Sequence, residues 1–91
     1  MSKKALILFG SPLCTHCTPA KEYLESKGVK FEYFNITDNL SHLKFFLKFR
    51  DNNSDFDELK NRGIIGIPCL MCDNGNRFIF DIENTDLSEF L

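Results

Sequence analysis

The stretch Leu6-Ile7-Leu8-Phe9-Gly10-Ser11-Pro12-Leu13-Cys14-Thr15-His16-Cys17 decides the reading of this chain. Residues 3–9 begin with two lysines and turn continuously apolar. A run without alternation predicts a central strand covered on both faces. Gly10, Ser11 and Pro12 break it. From about residue 15 to 27 the pattern becomes helical: Ala20, Tyr23 and Leu24 share one face, with Lys21, Glu22, Glu25 and Lys27 outside. Pro19 falls in the first turns, where a missing N–H costs least, and Gly28 stands at the C-terminal stop. Two cysteines, separated by two residues, therefore sit where a strand hands over to a helix.

Outward from this junction, residues 29–36 alternate and then turn aromatic, which predicts a second strand. Asp38 or Ser41 is the expected cap of a second helix reaching about Arg50. Its apolar set is Leu40, Leu43, Phe46 and Leu47, with Phe45 and Phe49 widening the stripe. Residues 51–54 read as a loop, Asp55 as the cap of a short helix to Arg62, and Gly63 as its end. Ile64-Ile65-Gly66-Ile67-Pro68 leads into a strand over 69–72. Asp73-Asn74-Gly75-Asn76 is a hairpin turn signal, and residues 77–80 return as the partner strand. A final short helix is expected from Thr85 or Asp86 to Leu91. The order is β-α-β-α-(α)-β-β-α. It implies an α/β chain whose first unit is parallel with a right-handed crossover and whose last two strands form an antiparallel hairpin.

At 91 residues one domain spanning 1–91 is expected. The 43% apolar content, with ten Phe and no Trp, is too high for disorder. A net charge of −2 offers no basic surface, so neither nucleic acid nor a membrane surface is an expected partner. The longest apolar run, residues 5–9, falls far short of the ~20 residues of a bilayer span. Lys3, Lys4 and this run mimic a signal peptide, but the run is short and no small-x-small site precedes Cys14. A cytoplasmic location is expected. There thiols stay reduced, and paired cysteines read as catalytic or metal-binding rather than as staples.

The physics of the junction suits redox work. A helix N-terminus carries unpaired N–H groups and the positive end of the dipole, which favour a thiolate at Cys14. Two intervening residues in a helical turn bring the second sulfur close enough to close a disulfide. Position sets the roles: Cys14 at the helix mouth attacks, and Cys17, one turn inward, resolves the mixed disulfide. His16 is the expected modulator, because a nearby imidazole favours the thiolate and makes the pair more oxidising. Its plain alternative is a solvent-exposed residue with no tuning role. Gly66-Ile67-Pro68 precedes a strand, where a cis peptide would bend the chain beside the cysteines.

Strand, Ser11-Pro12-Leu13-Cys14-Thr15-His16-Cys17, helix, strand, two helices, Ile67-Pro68, hairpin and helix together resemble a glutaredoxin over nearly the whole chain. The resemblance implies a thioredoxin fold with a four-stranded mixed sheet flanked by helices. It implies that Cys14 and Cys17 are the catalytic pair and that a cis-Pro loop at Pro68 faces them. Ile67, before that proline, would offer its backbone N–H and C=O to the substrate. Three departures concern glutathione. Ser11 stands where a typical glutaredoxin has Lys. His16 replaces a common Tyr. The Gly-Gly-x-Asp turn that holds the γ-glutamyl end appears as Ile79-Phe80-Asp81-Ile82. Arg50, Lys60 and Arg62 are candidate replacement cations.

Cys69-Leu70-Met71-Cys72 also spells Cys-x-x-Cys. On a strand these two side chains point to opposite faces, about 10 Å apart, too far for a disulfide. Cys72 is expected to pack as a small apolar residue, and Cys69, next to Pro68, is the open question. A four-cysteine metal site is disfavoured: zinc ribbons space their pairs by ~15–20 residues, far less than the gap here. His42 reads as a surface histidine, and Asp81, Glu83 and Asp86 as turn and helix-start residues.

The resulting expectation is a monomeric thiol–disulfide oxidoreductase with no metal and no tightly bound cofactor. It would reduce disulfide-containing or glutathionylated proteins. Glutathione, a candidate co-substrate, or a thioredoxin-reductase-type donor would supply electrons. A metal or iron–sulfur carrier and a redox-sensing binding module are the alternatives.

Overall fold

Strand β1 (Leu6–Gly10) lies inside the sheet because both of its faces are apolar. The computed structural model describes residues 6–73 and 75–88. Residues 3–5 of the expected first strand, Asn74 of the hairpin turn and residues 89–91 of the expected last helix lie outside them. After β1 come α1 (Cys17–Ser26), β2 (Glu32–Asn35), α2 (Leu40–Arg50), a 3-10 turn (Ser54–Phe56) and α3 (Asp57–Asn61). β3 (Cys69–Cys72), β4 (Arg77–Ile79) and a second 3-10 turn (Ile82–Asn84) complete the order. The sheet runs β2-β1-β3-β4. β1 is parallel to β2, with Leu8 opposite Tyr33, and antiparallel to β3, with Phe9 opposite Cys69. β3 and β4 form the antiparallel hairpin, with Leu70 opposite Ile79. This four-stranded mixed sheet flanked by helices is a thioredoxin fold.

The period of two along β1 and β3 divides the core. Leu6, Leu8, Leu70 and Cys72 join Ala20 and Leu24 of α1, together with Ile79, Ile82 and Leu87. Phe9, Cys69 and Met71 face the other way, onto Phe46 of α2, Phe56 and Ile36. The phenylalanines concentrate on this second face. Phe9 and Phe46 rings lie 5.0 Å apart, and Phe56 meets Phe78 edge-on at 5.0 Å. Fully burying each such side chain contributes about 1.5–3 kcal/mol, and each favourable ring pair about 0.5–1.5 kcal/mol more.

Several boundaries differ from the sequence reading, each for a local reason. α1 begins at Cys17, two residues later than expected, because residues 11–17 are tied as turns. β2 is shorter at its start: the Val29 N–H is spent on the Leu24 carbonyl, 3.1 Å away, and its side chain enters the core. α2 is capped by Asn39, not by Asp38 or Ser41. Asn39 is extended, and its Oδ1 accepts from the His42 N–H at 3.2 Å, the reach of a true N-cap. Asn53 rather than Asp55 caps the next segment, accepting from the Asp55 N–H at 2.9 Å. The 3-10 turn at Ile82–Asn84 comes before the expected start of the last helix. Leu40, placed in the apolar stripe of α2, is 66% exposed. No helix among the described residues is long and apolar enough to cross a membrane.

Candidate active site

Cys14 sits in the turn between β1 and α1. Its N–H donates to the Ser11 carbonyl at 3.1 Å, and the Cys17 N–H donates to the Cys14 carbonyl at 3.3 Å. Two successive tight turns thus deliver Cys17 to the first position of α1 while leaving Cys14 partly exposed ahead of it. Ser11 anchors the turn. It is 1% exposed, and its Oγ accepts from the Leu13 N–H at 3.1 Å and lies 2.7 Å from Thr37 Oγ1. The single Thr37 hydroxyl proton goes to Asn35 Oδ1 at 2.8 Å, so Ser11 donates to Thr37. The cysteine turn is thereby pinned to the end of β2.

Cys17 is fully buried. Burial pushes its thiol up to about 12, helped by the hydrogen bond with the Cys14 side chain and by the Cys14 charge, while a backbone hydrogen bond from Ser11 acts in the opposite direction. The Cys17 sulfur packs against Gly10. A Cβ at position 10 would lie 3.2 Å from Cys17 Cβ, 3.3 Å from its Sγ and 3.3 Å from the Tyr33 ring. Only glycine leaves Cys17 this space. Tyr33 shares the pocket: burial raises its phenol above its ordinary value, and charge on Cys17 and Cys14 adds to that.

The Ile67–Pro68 peptide is cis, and the Ile67 carbonyl accepts from Cys14 Sγ at 3.9 Å. Gly66 before it has φ +105°, a region L side chains rarely adopt, and a Cβ there would meet the Phe56 ring at 3.2 Å. Arg50 at the end of α2 holds the segment ahead of it. Its Nε donates to the Ile65 carbonyl at 2.7 Å, and a terminal nitrogen to the Ile64 carbonyl at 3.2 Å. Cys14 and Cys17 are therefore brought together with Ile67 and Pro68 from two parts of the chain distant in sequence.

His16 is the exposed residue preceding α1, and its side chain does not cap the helix. It lines a cavity of about 240 Å³ with Pro68, Phe80, Asp81 and Glu83, which shares none of its lining residues with the groove that holds Cys14. Asp81 in this cavity accepts from Asn84 Nδ2 at 2.9 Å, a turn-stabilising role. Asp86 accepts from the Ser88 N–H at 3.0 Å, which holds its carboxyl below the ordinary value. Of the candidate cations, Arg50 is engaged with the two carbonyls and with Asp51, and Lys60 pairs with Asp57 at 3.5 Å. Arg62 is exposed and lines neither cavity.

Cys69 and Cys72 face opposite sides of β3, each in a different half of the core. Cys69 is fully buried among phenylalanines, and burial, with a smaller contribution from Cys72, pushes its thiol far up, so that it stays protonated. Among the described residues no three His, Cys, Asp or Glu side chains converge as a metal site. His42 is not a simple surface residue. It stacks on Phe34 with ring centroids 4.0 Å apart, and its Nδ1 is buried without a hydrogen-bond partner.

Three contributors escaped the sequence reading: Gly10, the Ser11–Thr37 pair, and Arg50 as a clamp. Ser11 carried one usable signal. A serine whose hydroxyl takes the N–H two residues on is a common turn device, and Ser11-Pro12-Leu13 has that form. The other two depend on tertiary packing and leave no local trace.

Comparison with known proteins adds the following. A family model described as Glutaredoxin matches residues 6–78. A Haemophilus influenzae protein, described as uncharacterized, is 36% identical over 70 residues, covering 77% of this chain and 81% of its own. No solved structure is significantly similar.

Proposed function

The chain belongs to the glutaredoxin family, and from that premise we propose that it is a dithiol–disulfide oxidoreductase acting as a monomer in the cytoplasm. The observation that carries this reading is the asymmetry of the pair: Cys14 is partly exposed beside the Ile67 carbonyl, whereas Cys17 is buried with its thiol pushed up to about 12. The Cys14 thiolate attacks one sulfur of a disulfide-containing or glutathionylated protein, forming a Cys14–substrate disulfide and expelling the other sulfur as a thiolate. While Cys14 carries charge, that charge and its hydrogen bond hold the proton on Cys17. Once Cys14 is bound in the mixed disulfide, both effects vanish, and the Ser11 backbone contact is left to offset part of the burial that still holds the proton on Cys17. Cys17 gives up its proton to the expelled thiolate, attacks Cys14 Sγ and releases the second substrate thiolate. Two electrons have then passed to the substrate, leaving a Cys14–Cys17 disulfide. Glutathione or a thioredoxin-reductase-type donor restores the dithiol.

Turnover of a protein disulfide and of a glutathionylated peptide by wild type, Cys14→Ser and Cys17→Ser tests this reading. Cys14→Ser falls to background, and Cys17→Ser loses the protein-disulfide reaction. Undiminished turnover by Cys14→Ser contradicts it.

A further inference from the structure

Cys14 lines one wall of an open groove of about 370 Å³. Leu13, Thr37, Ile64, Ile65 and Ile67 line it too, with Gly63 and Gly66. Leu13 is 82% exposed, Ile65 54% and Ile64 37%, the most water-facing large apolar side chains of the described chain besides Leu40. The groove carries no charged side chain. Arg50, which holds the segment behind it, is spent on the Ile64 and Ile65 carbonyls and on Asp51, and Arg62, next to Gly63, is exposed and does not line it. The small hydroxyl at position 11 is buried and committed to Thr37 and Leu13.

We infer that the substrate at Cys14 is a polypeptide whose reacting cysteine is flanked by a large apolar residue, which lies in this groove. The inference rests on the dithiol reading above and names the class of disulfide it serves. The occupant follows from continuity: a chain that brings its sulfur to Cys14 beside the Ile67 carbonyl places the neighbouring residue between Leu13 and Ile64–Ile65. Such a residue removes apolar surface of both partners from water. The glycyl carboxylate of a glutathionyl group would set charge against a wall that carries no charged side chain, which is less favourable than an apolar neighbour. The step is the exchange described above, with the peptide disulfide as oxidant and the Cys14–Cys17 dithiol as reductant.

The test uses two otherwise identical peptide disulfides, one with Leu and one with Asp beside the reacting cysteine, and glutathione disulfide as a third substrate. Each is reduced by wild type and by Ile65→Glu, with folding checked by circular dichroism. The readout is the ratio of kcat/KM values within one protein preparation, which partial unfolding does not alter. Wild type should prefer the Leu peptide over the Asp peptide and over glutathione disulfide by about tenfold or more, the scale of one partly buried side chain. Ile65→Glu should collapse that preference severalfold. Equal rates for the two peptides, or a preference for glutathione disulfide, overturns the inference while the dithiol reading stands. Failure to reduce any of the three overturns both.

Discussion

Ser11 Oγ lies 2.7 Å from Thr37 Oγ1 and joins the turn that carries Cys14 to the end of β2. A lysine is typical at this position in the family, so the site has exchanged a cation for a buried structural pin. Ser11→Ala removes the partner of both Thr37 and the Leu13 N–H and should cost about 1–2 kcal/mol. Ser11→Lys should not create a glutathione site. A charged side chain at a position 1% exposed must force the turn open, and destabilisation should exceed that of Ser11→Ala. Thermal unfolding of both variants, with kcat/KM on glutathione disulfide, checks the pair of outcomes.

Gly10 sets the space behind Cys17. Gly10→Ala puts a methyl group 3.3 Å from Cys17 Sγ, so sulfur or strand must yield by a few tenths of an ångström. A destabilisation of about 1–3 kcal/mol is expected from such overpacking. The second chemical step should slow more than the first, because Cys17 is displaced while Cys14 is untouched. Stopped-flow kinetics that separate mixed-disulfide formation from its resolution would show whether the defect falls on the second phase.

The buried thiols give the reduced protein a pH dependence of definite sign. Cys17 moves from 9.0 up to about 12, and Cys69 is also raised by burial. Above a pH of about 9 the unfolded chain releases these protons while the folded chain retains them, so stability is fully present below that pH and falls as pH rises through the folded values. The Tm under reducing conditions should hold near neutral pH and decline above about pH 9. Cys17→Ser should lessen the decline, and identical slopes for the two proteins would refute it.

Arg50 positions the segment of the groove that precedes the cis-proline. Arg50→Gln loses a charged donor to the Ile64 and Ile65 carbonyls and should cost about 1–2 kcal/mol. Arg50→Lys should restore little, since one ammonium does not reproduce the planar fork that reaches both oxygens. Amide hydrogen exchange near Ile64 should quicken in both variants, with KM rising more than kcat falls.

Much of the architecture could be read along the chain because its signals are local. The unbroken apolar run before Gly10 marks the inner strand, the spacing of Ala20, Tyr23 and Leu24 marks α1, and the opposite faces of Cys69 and Cys72 follow from the pleat of β3. Cap positions failed where neighbouring polar residues compete: Asp38, Asn39 and Ser41 are all capable, and backbone geometry selects Asn39. His42, on α2, was misread because its stacking partner, Phe34, belongs to β2. At the site, the nearness of Cys14 to Cys17 and to the Ile67-Pro68 loop was legible, but the close approach of Gly10 and the reach of Arg50 arise from contacts distant in sequence.

The division of labour between Cys14 and Cys17 is the central claim, and trapping the intermediate tests it most directly. Cys17→Ser is mixed with a disulfide-bonded peptide, quenched with acid, digested and mapped by mass spectrometry. The peptide should be found on Cys14, with Cys69 and Cys72 unmodified. A peptide attached to Cys69 or Cys72 with Cys14 free, or no adduct on Cys14 at all, would contradict the mechanism.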